Sequence, residues 1–347
     1  MIRGTAASGF RDAIGAFRDG CRRVNKKRKV ERSATTTTSK IFSHWDETHS
    51  QLWNRQPIRL EHEMHKSPAF SMDDLARLIE GYPRQHYSIV QTGVRGASRV
   101  WREGDLGNLS GREVIDAISR GELWLNLREV GSVDGRYREL VDRMFEEVAA
   151  RVPGFEVPEF HQAGILISSP RAEVYYHADL PWQALVQISG RKRVYVYPNT
   201  APFITPRHLE DITLFNVEVD LPYQDWYDNH AKVLDIGPGQ MLNWPLNAPH
   251  RVENLDTFSV SMTISYTDDE IRRSAVINFA NGMLRHRFGY QPKSRNLRGP
   301  SYFAKRVMGK LLRNSSWIKR ERSMRAPIDF HLDVAQPGKI VDASKAA

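Results

Sequence analysis

The pattern of apolar and polar positions divides the chain near residue 162. Before that position, apolar residues recur at helical spacing in three segments, which cover 71–81, 110–121 and 136–151. Ser71 and Ser110 stand at the expected N-caps of the first two segments, and Glu113 completes a capping box with Ser110. The apolar run 123–127 is typical of a buried strand. The first half of the chain is therefore predicted to mix helices and strands.

After residue 162 the pattern is one of short strands separated by glycine and proline turns. The predicted strands cover 162–168, 172–179, 184–188, 192–197, 240–244 and 257–266. The last has the clearest alternation, because serine or threonine occupies every second position from 257 to 265. Its polar face either meets solvent or lines a hydrated pocket. Many short strands with such turns predict a β-sandwich or a barrel.

The composition of the chain excludes several classes of protein. Its 347 residues correspond to two domains or one elaborated domain. No run of about 20 apolar residues is present, and residues 1–30 lack the apolar centre of a secretory signal. The single cysteine, Cys21, excludes an intrachain disulfide. A cytoplasmic location is predicted, with nuclear import through the basic run 26–29 if the organism is eukaryotic.

The net charge of +9 is concentrated at the two ends of the chain. Residues 1–40 hold eleven Lys and Arg against three acidic residues, and 291–325 hold eleven against one. In contrast, 41–290 hold 26 Lys and Arg against 34 acidic residues, a net charge of −8. No helix-turn-helix, zinc-finger or aromatic RNA-binding signature accompanies the basic ends. The charge is therefore no indication that the folded body binds nucleic acid.

The two basic ends differ in their apolar content. Residues 1–40 have too few large apolar residues to form a core and are predicted to be a disordered tail. Phe303, Val307 and Leu311 recur at helical spacing among basic residues and predict an amphipathic helix. Its apolar face would pack on the barrel or on a homodimer partner. Alternatively, the helix would dock on an acidic partner or an anionic membrane surface.

Three residues in the strand-rich half have the order and spacing of a metal site. His177 and Asp179 project to the same face, because they lie two apart at the end of a predicted strand. His250 follows a tight turn, a short strand and a Pro-rich bend over 237–249. Two histidines and one carboxylate can occupy one face of iron(II) and leave the remaining positions open.

Four other histidine groups lie outside such a setting. His44–Asp46 lies at the exit of the tail, and His208–Glu210 lies in a Pro-flanked loop. His331–Asp333 has no histidine after it, and 62–65 (HEMH) lies in a charged stretch without a predicted strand or helix. None of the four is predicted to bind a metal.

Residues 162–266 resemble the cupin-like JmjC family of iron(II)- and 2-oxoglutarate-dependent oxygenases. The residues that carry the resemblance are His177-x-Asp179, the segment 187–198 (QISGRKRVYVYP) and the Pro-Gly segment that leads to His250. The resemblance implies that these three side chains bind iron and form the catalytic centre. Related halogenases replace this carboxylate with a small residue to admit chloride, so Asp179 favours hydroxylation over halogenation.

The resemblance also implies a co-substrate site. The lysine after the hairpin turn binds the distal carboxylate of 2-oxoglutarate in this family, and Lys192 occupies that position. Its stem would lie among apolar neighbours on the same strand face. The chain departs from the family at Val174, where a threonine is common, and at Ser265, which corresponds to an asparagine. Tyr175, Gln183 and Ser265 are the further candidates for co-substrate binding.

The combined prediction is a mainly β protein with flanking helices, built on a double-stranded β-helix (jelly-roll, cupin or JmjC-like) barrel at 155–270. An α+β region over 41–154 would pack on the barrel, and 271–347 would form a basic helical extension. The implied activity is hydroxylation of an unidentified substrate, a protein side chain, small metabolite or lipid, with Fe(II), 2-oxoglutarate and O₂. The alternative is a non-catalytic cupin-like binding or regulatory protein. Loss of a triad residue would have supported that alternative, and all three residues are present.

Overall fold

The structure is a computed structural model that describes residues 40–93, 100–215, 221–312, 328–333 and 335–343. The predicted tail, apart from Lys40, lies outside the described residues. In the described part, the strands are β1 (Phe42–His44), β2 (Ile58–His62), β3 (Tyr87–Thr92), β4 (Trp101–Asp105), β5 (Leu123–Leu127), β6 (Phe160–Ser168), β7 (Glu173–His177), β8 (Trp182–Ser189), β9 (Lys192–Val196), β10 (Lys232–Ile236), β11 (Gln240–Asn243), β12 (His250–Asn254), β13 (Ser259–Thr267), β14 (Phe330–Leu332) and β15 (Ile340–Asp342). The α-helices are α1 (Glu47–Leu52), α2 (Met72–Ile79), α3 (Gly111–Arg120), α4 (Val130–Val133), α5 (Gly135–Ala149), α6 (Pro206–Phe215), α7 (Asp269–Phe288) and α8 (Gly299–Leu312).

The helix caps predicted from the sequence are present. The Ser71 hydroxyl accepts a hydrogen bond from the Asp74 N–H at the start of α2. Ser110 and Glu113 form the reciprocal capping box that begins α3. These caps satisfy N–H groups that a helix leaves without partners in its first turn. They confirm the predicted starts of both helices.

The strands form a major sheet of eleven and a minor sheet of four. The order in the major sheet is β1-β2-β11-β8-β13-β6-β5-β3-β4-β14-β15, and in the minor sheet it is β10-β9-β12-β7. Neighbouring strands are antiparallel except for β4 and β14, which are parallel. Strands β1 to β5 thus continue the same sheet as β6, β8, β11 and β13.

Helices cover one face of the major sheet, and the minor sheet faces the other. Beneath the helices, Val114 of α3 and Phe145 of α5 belong to one continuous apolar core with Ile165 of β6. A second cluster lies between the sheets, where Leu166 of β6 packs with Val194 of β9. Within the described residues the two sheets remain separate hydrogen-bonded sets. The protein is therefore mainly β with flanking helices, and its facing sheets fit a jelly-roll fold.

The alternation predicted for β13 is confirmed, and its polar face turns inward. Ser259 and Ser261 are fully buried and both hydrogen bond to the Gln187 side chain, at 2.9 and 2.8 Å. Thr263 and Ser265, further along the same face, line a cavity between the sheets. Of the two interpretations of this face, exposure to solvent is therefore wrong.

The C-terminal part consists of two long helices and a β-hairpin. Helix α7 begins at the cap of Asp268 and ends at Gly289, which has the left-handed backbone that glycine adopts readily. Helix α8 packs against it, with Gly309 beside the Phe279 ring. Strands β14 and β15 then extend the far edge of the major sheet. None of the described helices has both the length and the hydropathy needed to cross a bilayer.

Candidate metal centre and adjoining cavity

The minor sheet brings the three predicted metal ligands together. His177 ends β7 and lies opposite His250, the first residue of β12, with ring centroids 4.1 Å apart. Asp179 follows β7 by two residues, and its Oδ2 lies 3.4 Å from the His250 Nε2. The ligand atoms of all three side chains lie within 4.8 Å of one another.

Main-chain carbonyls fix the orientation of both imidazoles. The Tyr175 carbonyl lies 2.7 Å from His177 Nδ1, and the Ala248 carbonyl lies 3.1 Å from His250 Nδ1. Because a carbonyl oxygen can only accept, each Nδ1 carries the proton and donates it. The Nε2 lone pair of each neutral ring is then available to a metal, which is how protein carbonyls commonly orient histidine ligands.

The centre holds acceptor atoms without a donor between them. Asp179 Oδ2 is buried and has no hydrogen-bond partner among the described residues. Burial raises the pKa of Asp179, and the neighbouring His177 opposes this rise. Burial also lowers the pKa of His250 well below its usual value, and His177 adds to the decrease. A buried carboxylate oxygen that faces two imidazoles and has no hydrogen-bond donor fits a divalent cation, and the two nitrogens and one oxygen are ligands that suit iron(II).

The other histidine groups have structural roles or remain exposed. His62 uses both ring nitrogens, because Nδ1 accepts from the Met64 N–H and Nε2 contacts the Gln240 carbonyl. Burial lowers the pKa of His62 to about 4. At the group His44–Asp46–His49, which is mostly exposed, the Nδ1 of His49 accepts from the Asp46 N–H in the capping box of α1.

The sequence analysis assigned one of these histidine groups to the wrong type of element. His208 and Glu210 lie in α6, not in a loop. The helix begins directly after Thr205, whose hydroxyl accepts from the His208 N–H. The proline that indicated a loop is instead the first residue of the helix, where its missing N–H costs no hydrogen bond.

A cavity of about 560 Å³ extends between the two sheets from the three ligands to Lys192. Its wall includes apolar, aromatic and amide side chains, among them Trp101, Trp124, Asn126, Leu166, Gln183 and Val252. The indole N–H groups of Trp101 and Trp124 and the Asn126 Oδ1 are buried and find no partner among the described residues. Buried polar groups are normally hydrogen bonded, so these three are available to a bound molecule.

Lys192 lies at the cavity with only neutral partners. The residue is 2% exposed, and its Nζ donates to Asn254 Oδ1 at 2.5 Å and to Ser168 Oγ at 3.3 Å. No carboxylate forms an ion pair with it in the described part of the chain. Burial alone lowers the pKa of this amine to about 7. An anionic ligand in the cavity would therefore favour the protonated form of an amine that has no counter-ion among the described residues.

The remaining predicted co-substrate residues fall into two groups. Gln183 and Ser265 are cross-strand neighbours on β8 and β13, and both line the cavity. The Tyr175 hydroxyl instead accepts hydrogen bonds from the N–H groups of Gly93 and Val100, at 3.1 and 2.8 Å. Tyr175 is not among the residues that line the cavity in the described structure.

Sequence reasoning missed Asn254 and Ser168, the two partners of Lys192. Asn254 also donates through Nδ2 to Ser168 Oγ at 2.8 Å and to the Ser169 carbonyl at 2.7 Å. Asn254 lies two and four residues after Val252 and His250, so all three project to one face of β12. That alternation was a usable signal, but 250–254 had not been predicted to be a strand.

No protein-family model matches this chain, and the comparison with curated proteins gives no sequence match. Among solved structures, the chain is similar to YcfD of Escherichia coli, described as a ribosomal oxygenase. The complex of YcfD with cobalt and 2-oxoglutarate is 15% identical with a TM-score of 0.45, and the match covers 85% of this chain and 75% of that chain. The complex with cobalt and succinic acid has the same identity and coverage and a TM-score of 0.43.

Proposed function

We propose that this protein is an iron(II)- and 2-oxoglutarate-dependent oxygenase that hydroxylates a protein side chain or a small metabolite. The proposal depends above all on the convergence of His177, Asp179 and His250, with ligand atoms within 4.8 Å of one another and a buried carboxylate oxygen without a donor. Lys192 in the same cavity adds a cationic anchor for a dianionic co-substrate.

The strand order supports a double-stranded β-helix of the JmjC type as the scaffold. Along the chain, β6, β8, β11 and β13 belong to the major sheet, and β7, β9, β10 and β12 belong to the minor sheet. The chain therefore crosses repeatedly between two facing four-stranded layers, as a jelly roll requires. The metal ligands lie on the minor layer, and the cavity separates that layer from the major one.

Bound iron(II) would supply the activation of O₂, coupled to decarboxylation of 2-oxoglutarate to succinate and to hydroxylation of a C–H bond. The protein's own contribution is to orient the nitrogen and oxygen atoms that would bind the metal. His177 and His250 each direct Nδ1 to a main-chain carbonyl, which selects the tautomer whose Nε2 lone pair can bind the metal. Asp179 adds one negative charge and leaves further metal positions for the reactants.

Lys192 would bind the distal carboxylate of 2-oxoglutarate. The free amine is partly deprotonated near neutral pH, since burial lowers its pKa to about 7. An approaching carboxylate favours the charged form, so the amine takes up a proton as the co-substrate binds. Asn254 and Ser168 hold the Nζ in place at 2.5 and 3.3 Å before the ligand arrives.

Anaerobic titration tests the proposal directly. Purified protein should bind about one iron(II) per chain, and addition of 2-oxoglutarate should produce the visible charge-transfer band of an iron–2-oxoglutarate complex. His177→Ala should abolish both signals. His44→Ala is the matched control, because it removes a histidine from the exposed group at the start of the fold. On admission of O₂, the wild type should form succinate, slowly without substrate and faster with the correct one.

The outcomes separate catalysis from binding. Equal iron stoichiometry in wild type and His177→Ala would contradict the metal assignment. Iron and 2-oxoglutarate binding without succinate formation, with any candidate substrate or without one, would favour a non-catalytic binding or regulatory protein.

A further inference from the structure

Helix α8 presents an apolar stripe to solvent. Phe303, Val307 and Leu311, here called the α8 stripe, are 65%, 44% and 75% exposed. They are four residues apart and therefore lie on one face of the helix. The opposite side is buried through Tyr302 and Gly309 against α7. Among the described residues, the apolar face of α8 is therefore not buried on the barrel.

Two more large apolar side chains are exposed just before this helix. Phe288 at the end of α7 is 60% exposed, and Tyr290 in the connection to α8 is 59% exposed. Single exposed apolar residues are common on protein surfaces, whereas several in one helical hairpin mark an interaction site.

The surrounding charge has one sign. From 271 to 320 the sequence contains thirteen Lys and Arg and no acidic residue. Some of these cations are compensated from elsewhere, since Glu210 binds both Arg285 and Arg295. Five others are exposed and form no ion pair with any described residue: Arg287, Lys293, Arg298, Arg306 and Lys310. An apolar helical stripe flanked by uncompensated cations is the pattern of a helix that lies in a membrane interface.

We propose that the α8 stripe docks this protein on an anionic membrane surface. The apolar side chains would enter the boundary between headgroups and acyl chains, while Arg306 and Lys310 would bind lipid phosphates. A second copy of the chain is a poorer occupant, because a symmetric contact would bring two sets of uncompensated cations together. Nucleic acid fits less well, because Phe303 is the one aromatic ring of the α8 stripe, and the aliphatic Val307 and Leu311 offer no surface on which a base can stack.

Vesicle sedimentation with the full-length protein tests the proposal. We expect sedimentation with vesicles of phosphatidylcholine and phosphatidylglycerol at low salt, and little with phosphatidylcholine alone or at high salt. Phe303→Ser combined with Leu311→Ser should weaken binding by at least about tenfold. Arg306→Gln combined with Lys310→Gln should weaken it by about fivefold for each charge removed.

Matched controls change the same residue types elsewhere on the surface. Val157→Ser combined with Val341→Ser removes exposed apolar side chains, and Arg55→Gln combined with Arg59→Gln removes exposed cations. All four double variants should keep the wild-type circular dichroism spectrum and iron binding, because every altered side chain is exposed. Loss of vesicle binding is therefore separate from any failure of the oxygenase assignment.

Several results would overturn the proposal. These are no binding to anionic vesicles at low salt, equal binding to neutral vesicles, and equal losses in the control variants. A solution dimer that dissociates in Phe303→Ser/Leu311→Ser, without vesicle binding by the wild type, would assign the α8 stripe to self-association. Binding to an acidic peptide with no binding to vesicles would assign it to a protein partner.

Discussion

The two faces of the major sheet differ in composition although the same strands form both. Strand β13 contributes to each, because Met262 and Ile264 are buried beneath the helices while Thr263 and Ser265 line the cavity. A strand alternates its side chains between two faces, so one sequence can serve two purposes. The comparison indicates that the face beneath the helices contributes mainly to stability, whereas the face that lines the cavity serves function.

The contents of the two sides support this division. On the helix side, the Phe145 ring packs against Tyr266 and Trp182, with centroids 5.7 and 6.1 Å apart. On the cavity side, Asp179 and Asn126 keep buried oxygen atoms without partners among the described residues. Unsatisfied buried groups destabilise a free protein, so the two oxygen atoms at the cavity favour a ligand-binding purpose for this side.

The largest effect is expected from Asp179→Asn, which removes the charge of the carboxylate and keeps its size. Iron(II) binding should be lost, because Asp179 is proposed to bind the metal directly. Replacing a residue that only hydrogen bonds to a metal ligand lowers metal affinity by roughly 10–100-fold, and the loss here should be larger. Since Oδ2 is buried without a donor, the metal-free variant should melt at the wild-type temperature or above it. Anaerobic calorimetry with iron(II) and thermal melting measure the two quantities. Retained stoichiometry would contradict the site, and a much lower Tm would give Asp179 a structural role.

A pair of adjacent substitutions in β13 tests the two faces directly. Ile264→Ala should lower the free energy of unfolding by about 2–5 kcal/mol, because it leaves a cavity in a packed core. Thr263→Val keeps the side-chain shape, and the hydroxyl's contact with the Gly164 carbonyl is long at 3.4 Å, so the loss should stay below about 1.5 kcal/mol. Urea unfolding followed by circular dichroism gives both values. Equal losses would show that the cavity face also contributes to stability.

The sequence predicted the helix side better than the site itself. Capping residues and apolar spacing predicted α2, α3 and α5, because the signals for a helix on a solvated surface are local. The six predicted strands are present with ends shifted by a few residues. His177 and Asp179 were recognisable by their spacing of two residues, although β7 ends at His177 and Asp179 lies just beyond it.

Strand β12 was missed for a physical reason. Its five residues are all buried, yet two of them, Arg251 and Glu253, are charged. They tolerate burial because Arg251 pairs with Glu253 and Asp228 and lies over the Tyr195 ring, 3.4 Å from its centroid. The contributions of Asp228 and Tyr195 come from distant parts of the chain and cannot be seen in local patterns. Asn254 was missed with the strand that carries it.

A smaller effect should follow from Lys192→Met, which removes the amine and keeps an unbranched side chain. Affinity for 2-oxoglutarate should fall by about 1.5–3 kcal/mol, the contribution of a hydrogen bond to a charged group. Iron binding should be unchanged, because Lys192 hydrogen bonds to Asn254 and Ser168 and not to the metal ligands. Titration of the visible charge-transfer band measures the affinity. Equal affinities in variant and wild type would place the anchor elsewhere.

The smallest effect is a pH dependence that only Lys192 would produce. Its pKa is lowered from 10.5 to about 7 in the free protein, and a bound carboxylate raises it again, so that binding takes up a proton. A rise in pH therefore opposes binding, and the affinity for 2-oxoglutarate should fall above pH 7, approaching about tenfold per pH unit.

Asn254→Asp would place a carboxylate within hydrogen-bond reach of the amine, since Oδ1 already lies 2.5 Å from Nζ. This counter-ion would keep the amine protonated, so the variant should bind 2-oxoglutarate more weakly, with a flat profile from about pH 7 to 8. The same slope in both proteins would mean that another group titrates, and a flat wild-type profile would mean that the amine is already charged before the ligand arrives.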